Sequence, residues 1–314
     1  MKIKIAHSPD SDDAFMFYAM CMNKIDCKNY EFEFAADEIS ILNELALSNE
    51  NPYDIIAVSF HAYKYLQDKY QLMLSGASLG SSKHGPKLIS KKDLTVDQIT
   101  RIAIPGRYTS SELALSKYFN SQKKCSRNLL ECHREPPQEA WRSSNQDLDS
   151  DTGLLRCARN DLSQNSIDEK KDSYKYEIVY CSYHDSFKLL EDNEVDASLL
   201  IHEAQLKYQE LGYKLIIDLG TWWHEYSGGY RLPLGCNVAK KELGTKVIEE
   251  LDQILMQSII WGKNNFEEVM SYASNFAGHQ MDKSKSKQYL DMYVDDSTIK
   301  LSESDLKSIE LFLG

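Results

Sequence analysis

Apolar and polar positions along this chain switch repeatedly between two periods. Residues 2–6 alternate as a short strand does, and 12–23 then carry apolar residues at helical spacing. The order repeats: 30–35 alternates, 38–47 is helical, 55–58 is a continuous apolar run as in a buried strand, and 60–68 is helical. Residues 86–90 read as extended, 101–104 as a strand and 110–119 as a helix. Strands at 177–180, 197–201 and 214–217 then alternate with helices at 186–192 and 203–211. From residue 240 onward the pattern is helical, over 243–261, 266–276, 284–293 and 302–312. Strands alternating with helices predict an α/β protein.

One stretch breaks the pattern. Residues 127–173 are rich in Ser, Asn, Asp, Glu and Arg, include Pro136-Pro137, and hold few large apolar side chains. A structureless loop of that length is unusual inside a compact domain, and its composition is that of disorder. It is expected to be a disordered insertion between a helix and a strand, where added length costs little closure entropy. Cys132, His133 and Cys157 fall within it. They are read as incidental residues of a solvated loop, and no metal is expected.

Composition narrows the partners. The chain has 314 residues, enough for two domains, with 42% hydrophobic and 27% charged residues and a formal charge of -12. That charge argues against nucleic acid or an anionic membrane, since both reward basic surface. No run of about 18 apolar residues is present to span a bilayer. The N-terminus turns polar at His7-Ser8-Pro9-Asp10 without an apolar export segment, so a cytoplasmic protein is expected. Seven cysteines at irregular spacing, with no Cys-x-x-Cys, suit a reducing compartment and unpaired thiols.

The candidate chemistry gathers where strands hand over to helices. Four junctions carry small polar residues: 8–13, Ser59, 105–110, and His202-Glu203. In open α/β sheets, ligands bind beyond the carboxyl ends of strands, where helix N-termini present free amides and partial positive charge. A small-molecule carboxylate is the natural guest. Each junction is also an ordinary helix cap, and Thr109-Ser110-Ser111-Glu112 matches a capping box. His202 follows the apolar run 197–201, which brings it to the sheet edge. A helix N-terminus there would keep its imidazole neutral and able to take a proton, although a structural histidine bonded to backbone is a common alternative. His7, His61, His84 and His224 flank junctions but lack metal-ligand spacing. Trp222-Trp223 reads either as a wall for an aromatic ligand or as a packed interdomain hinge. No P-loop and no Gly-x-Gly-x-x-Gly occurs.

Several motifs resemble those of the 1,4-dihydroxy-6-naphthoate synthases, enzymes of the futalosine route to menaquinone. They are Ser8-Pro9-Asp10-Ser11-Asp12-Asp13-Ala14-Phe15, Pro105-Gly106-Arg107-Tyr108-Thr109-Ser110, Leu200-Ile201-His202-Glu203, Asp218-Leu219-Gly220-Thr221-Trp222-Trp223, and Leu232-Pro233-Leu234-Gly235. The resemblance implies a two-lobed periplasmic-binding-protein-like (type II) fold, crossed twice by the chain, with a ligand cleft between lobes. The expected lobes are 1–98 with 236–314, and 99–235. It implies a lyase that converts cyclic dehypoxanthinyl futalosine to 1,4-dihydroxy-6-naphthoate and dihydroxyacetone without a cofactor. His202 takes the proton-acceptor position, and Ala57, Val58, Ser59, Thr109 and Ser110 take substrate-binding positions. Ala57-Val58-Ser59 stands where members of the family often have Lys-Leu-Ser. Two other readings share the architecture: chorismate dehydratase of the same pathway, and a non-catalytic small-molecule-binding protein. The Leu-Ile-His-Glu and Trp-Trp segments favour the synthase. The sequence carries no signal for an oligomeric state.

Overall fold

The architecture is that of a computed structural model that describes residues 1–82, 84–132, 176–273 and 283–314. The chain divides into a compact body, Met1–Phe119 with Tyr176–Gly314, and a second unit, Asn120–Lys175. Apart from 127–132, the expected insertion at 127–173 lies outside the described residues.

In chain order the elements are β1 (Lys2–His7), α1 (Ser11–Cys21), β2 (Glu31–Ala36), α2 (Ile39–Leu47), β3 (Ile55–Ser59), α3 (Phe60–Tyr63), β4 (Tyr70–Leu72), β5 (Ser78–Gly80), β6 (Lys87–Ser90), β7 (Arg101–Pro105) and α4 (Ser110–Cys132). There follow β8 (Glu177–Cys181), α5 (Ser186–Glu191), β9 (Ala197–Leu200), β10 (Lys214–Asp218), α6 (Leu219–Ser227), β11 (Leu232–Lys240), α7 (Thr245–Asn264), α8 (Phe266–Ala273), α9 (Lys283–Tyr293), α10 (Asp296–Ile299) and α11 (Glu303–Leu313). The helix expected over 110–119 runs on to Cys132, because 120–132 is polar yet holds Lys, Gln, Arg and Leu, all good helix formers. The helix expected over 203–211 is instead a short 3₁₀ segment, His202–Leu206.

Two sheets organise the body. The first has the order β2-β1-β3-β11-β4, with β5 also on β11; the second has the order β10-β6-β9-β7-β8. In each, parallel strands (β1 with β2 and β3; β7 with β8 and β9) are joined by antiparallel strands that bring the chain back. This is the two-lobed α/β architecture expected. The boundary is different. Strand 87–90, assigned to the first lobe from sequence, pairs with β9 and β10 in the second sheet, and all of β11 from Leu232 pairs in the first. The chain thus crosses at 81–86 and again at 228–231. At the first crossing, a Cβ on Gly85 would stand 2.3 Å from the Gly220 amide nitrogen, so two backbones touch where no side chain fits.

Each lobe has its own apolar core. In the first, α1 is buried on every side between β1 and the long helix α7, as its uninterrupted apolar run Ala14–Tyr18 requires. Phe15, Met16, Ile5, Ile55, Leu251 and Ile259 are at its centre, each at most 1% exposed. In the second, Ile89, Ala103, Leu190 and Leu200 pack inside the sheet and α5. Among the described residues, no helix is long and apolar enough to cross a membrane.

Candidate active site

The carboxyl ends of β1, β3, β7 and β9 meet around a cavity of about 690 Å³, including its open mouth. All six residues expected at a site line it: Ala57, Val58, Ser59, Thr109, Ser110 and His202. Ala57, Val58 and Ser59 end the buried strand β3, facing Asn237, Cys236 and Gly235 of β11 in antiparallel register. Asn43 of α2 accepts a hydrogen bond from the Ser59 amide at 2.8 Å and donates to the Ser59 hydroxyl at 3.1 Å and to the Tyr108 carbonyl at 3.3 Å. One buried amide therefore ties the first lobe to the loop before α4.

At that loop the hydroxyls are already engaged. Thr109 Oγ1 accepts from the Glu112 amide at 3.3 Å, which makes it the cap of α4. Ser110 Oγ donates to the Leu234 carbonyl at 2.6 Å. The expected capping box is modified, since Glu112 Oε2 accepts from the Tyr108 amide at 2.7 Å. What the loop offers an anion is the first-turn amides of a 23-residue helix. Gly106 makes the loop fit: its φ is +83°, and a Cβ there would lie 2.1 Å from that of Ser40 on α2.

Across the cavity lies an acidic cluster. Asp10 caps α1, and Asp12 and Asp13 sit in its first turn, where the helix dipole favours negative charge. Asp10 Oδ1 accepts from the Asp13 amide at 3.3 Å; Oδ2 accepts from Ser8 Oγ at 2.8 Å and lies 2.9 Å from His202 Nδ1. Tyr289 of α9 adds a hydroxyl 3.4 Å from the same nitrogen and donates to Asp12 Oδ1 at 3.3 Å. Glu203, 1% exposed, accepts from Ser11 Oγ through Oε1, while its Oε2 has no hydrogen-bond partner among the described residues. Asn237 Oδ1, at the cavity wall, is also buried without a partner among the described residues.

These neighbours overturn one expectation about His202. Its imidazole does not cap an α-helix, and it is not held neutral. Burial pulls its pKa down, but the charge and hydrogen bond of Asp10, with the charges of Glu203 and Asp12, prevail and raise it to about 9. Burial likewise works against the Asp10 charge, yet His202 holds that carboxyl well below its usual range. Asp12 and Asp13 are pushed well above theirs, first by burial and then by Asp10. His202 also has φ +50°, in the left-handed region, so a strained backbone delivers the side chain.

Asp10, Asp12 and His202 each offer one ligand atom within 4.8 Å of the others. They could hold a cation only by giving up the protons that this environment favours. Of the other histidines, His7 stacks on Phe17 and His61 packs against Thr109, with burial lowering its pKa to about 4. Trp222 and Trp223 are core residues away from the cavity, and Trp223 donates to the Arg231 carbonyl at 3.1 Å. The four described cysteines outside α4 are free, and Cys236 lines the cavity. Sequence reasoning missed Asn43, Asn237, Tyr289 and Tyr293. The two tyrosines alone left a trace, as an i,i+4 pair on one face of α9.

A family model described as menaquinone biosynthesis matches residues 3–148 and 167–314. The break in the match falls inside the stretch read as an insertion. Two curated relatives carry the name 1,4-dihydroxy-6-naphthoate synthase. The one from Thermus thermophilus is 24% identical over 86% of this chain and 78% of its own. The one from Streptomyces coelicolor is 24% identical over 98% of this chain and 90% of its own. A crystal structure of an Archaeoglobus fulgidus protein is 31% identical, with a TM-score of 0.76 over 99% of this chain and 95% of its own. A Candida albicans protein described as having the generic periplasmic-binding-protein fold is 13% identical, with a TM-score of 0.58 over 99% of this chain and 90% of its own. At that identity it speaks to fold alone.

Proposed function

The chain belongs to the menaquinone-biosynthesis family, and from that premise we propose that it is a carbon–carbon lyase. Its reaction converts cyclic dehypoxanthinyl futalosine to 1,4-dihydroxy-6-naphthoate and dihydroxyacetone. The observation that carries this reading is the His202–Asp10 pair at 2.9 Å in the wall of the cavity where the strand ends meet.

His202 acts as general base. In its neutral form it takes a proton from a hydroxyl of the sugar-derived part of the substrate. The carbon–carbon bond breaks as that oxygen becomes a carbonyl, the bonding electrons pass into the ring system, and the proton returns to the products. Formation of the aromatic naphthalene drives the step, and a placed base contributes on the order of 100- to 10,000-fold. Closure of the lobes over a bound substrate would exclude water during the step.

The cavity's two ends fix the orientation of the substrate. Its carboxylate goes to the amides at the start of α4, beside Thr109 and Ser110, with Ser59, Ala57 and Val58 along the wall. Its hydroxyls go to the acidic end, where Asp12 and Asp13 in protonated form can donate as well as accept. A carboxylate at that end would meet the Asp10 charge.

The test is incubation of purified protein with cyclic dehypoxanthinyl futalosine, followed by absorbance and mass for the naphthoate. Product from the wild type and none from His202→Ala is the expected result. Near-normal turnover by His202→Ala would remove the base assignment. No product from folded wild type would remove the reaction, with chorismate as the next substrate to test.

A further inference from the structure

We propose that Asp10 is a positioning residue for His202, supplied from the opposite lobe, which holds the proton on Nδ1 so that Nε2 is the nitrogen presented to the substrate. The inference rests on the reading of His202 as the base. Asp10 follows β1 of the first sheet and His202 follows β9 of the second, so the pair exists only while the two lobes are apposed. A second link, Ser11 Oγ to Glu203 Oε1, joins the same two junctions. Nδ1 is taken by Asp10 and Tyr289, whereas among the described residues Nε2 makes no hydrogen bond.

The hydrogen bonds of Asp10 say what its replacement will do. Oδ1 faces the Asp13 amide, a donor, so that position must be an acceptor. Asn at position 10 keeps its carbonyl on the Asp13 amide and turns its NH₂ toward Nδ1 and Ser8 Oγ, a hydroxyl that can rotate to accept where it now donates. An amide donor there forces the imidazole proton onto Nε2, and the base is lost with its geometry intact. Of the other groups facing His202, Asp12 accepts from Tyr289, Glu203 accepts from Ser11, Asp13 accepts from the Ser8 amide, and the Tyr183 ring stands edge-on at 5.4 Å. The Tyr289 hydroxyl oxygen, 3.4 Å from Nδ1, is a more distant partner than the Asp10 carboxylate, and an uncharged one.

The experiment is Asp10→Asn in the full chain, beside Asp10→Ser and His202→Ala. Asn and Ser both serve as helix caps, so the fold is kept, which thermal melting checks. Expected for Asp10→Asn is a kcat lower by on the order of 100- to 10,000-fold with KM within about threefold. The ¹⁵N spectrum, with His202 assigned by its absence in His202→Ala, should move the neutral proton from Nδ1 to Nε2. In Asp10→Ser the base keeps its neutral form at lower pH, so the pH midpoint of the residual kcat/KM should fall toward the ordinary histidine value. A folded Asp10→Asn with wild-type kcat, or with kcat lost while Nδ1 keeps its proton, overturns the proposal. If His202→Ala is inactive in that case, the base reading stands and only the role of Asp10 falls. If His202→Ala is active, both fall.

Discussion

Raising the pH from 7 to 9 is the perturbation that best separates a base from other roles for His202. The imidazole is held to about 9 by its acidic neighbours, against an ordinary 6.5. At pH 7 only about one molecule in a hundred then carries the neutral form, and at pH 8 about one in ten. For a base, kcat/KM of the free enzyme should climb about tenfold per pH unit and level off near 9. Stability should move the opposite way. A raised histidine pKa adds stability that is full below 6.5 and is lost as pH rises through about 9. A rise from 6.5 to about 9 corresponds to about 3 kcal/mol. Asp10 is the other side of the same interaction and adds nothing further in this window. The assay is initial-rate naphthoate formation read by mass at fixed ionic strength, with a melting curve at each pH. A profile that is flat or falling from 7 to 9 would refute the base role and leave the imidazolium as acid or hydrogen-bond donor.

Two substitutions test other parts of the cavity. Asn237→Leu removes a buried acceptor that no described residue satisfies, along with the Asn237 Nδ2 bond to the Gly76 carbonyl, so KM should rise about tenfold if a substrate hydroxyl fills it; an unchanged KM excludes that contact. Gly106→Ala places a methyl 2.1 Å from the Ser40 Cβ at a φ of +83°, so it should cost about 2 kcal/mol or more in melting and weaken substrate binding by spreading the lobes. Wild-type melting and KM would mean that the loop relaxes freely.

What the sequence made legible was local. Strands β1, β3, β7 and β9 and the polar residues at their ends follow from short-range pattern, and the cavity gathers those residues, from Ser59 to His202. Pairing is not local. Nothing within 87–90 says that it joins β9 and β10, and β11 carries Pro233 and Gly235 at a register shift, which read as breakers. The charge state of His202 was misjudged for the same reason. Its controlling neighbour, Asp10, is nearly two hundred residues away in sequence, and only the apposition of lobes creates the pair. Asn237 and Tyr289 reach the cavity from a returning strand and a C-terminal helix, positions that a search of strand-to-helix junctions does not visit.

If the cavity takes the proposed carboxylate, the distribution of charge explains how an acidic chain can hold it. Among the described residues lining the cavity there is no Lys or Arg, and Ala57 contributes only a methyl. A carboxylate must then be held by dipoles, and the start of α4 provides a long helix with free amides. Three aspartates at the other end would oppose this if all were charged. Burial and the Asp10 charge push the Asp12 and Asp13 carboxyls well above their usual range, and the Asp10 charge is matched by His202. The negative charge at the acidic end is thereby reduced, and the end remains rich in donors and acceptors. Such a site favours a ligand with one charged pole and one hydroxylated pole. Taking a proton from a hydroxyl at the second pole requires first that the Asp10–His202 pair lose its own, which is why the rate should climb with pH.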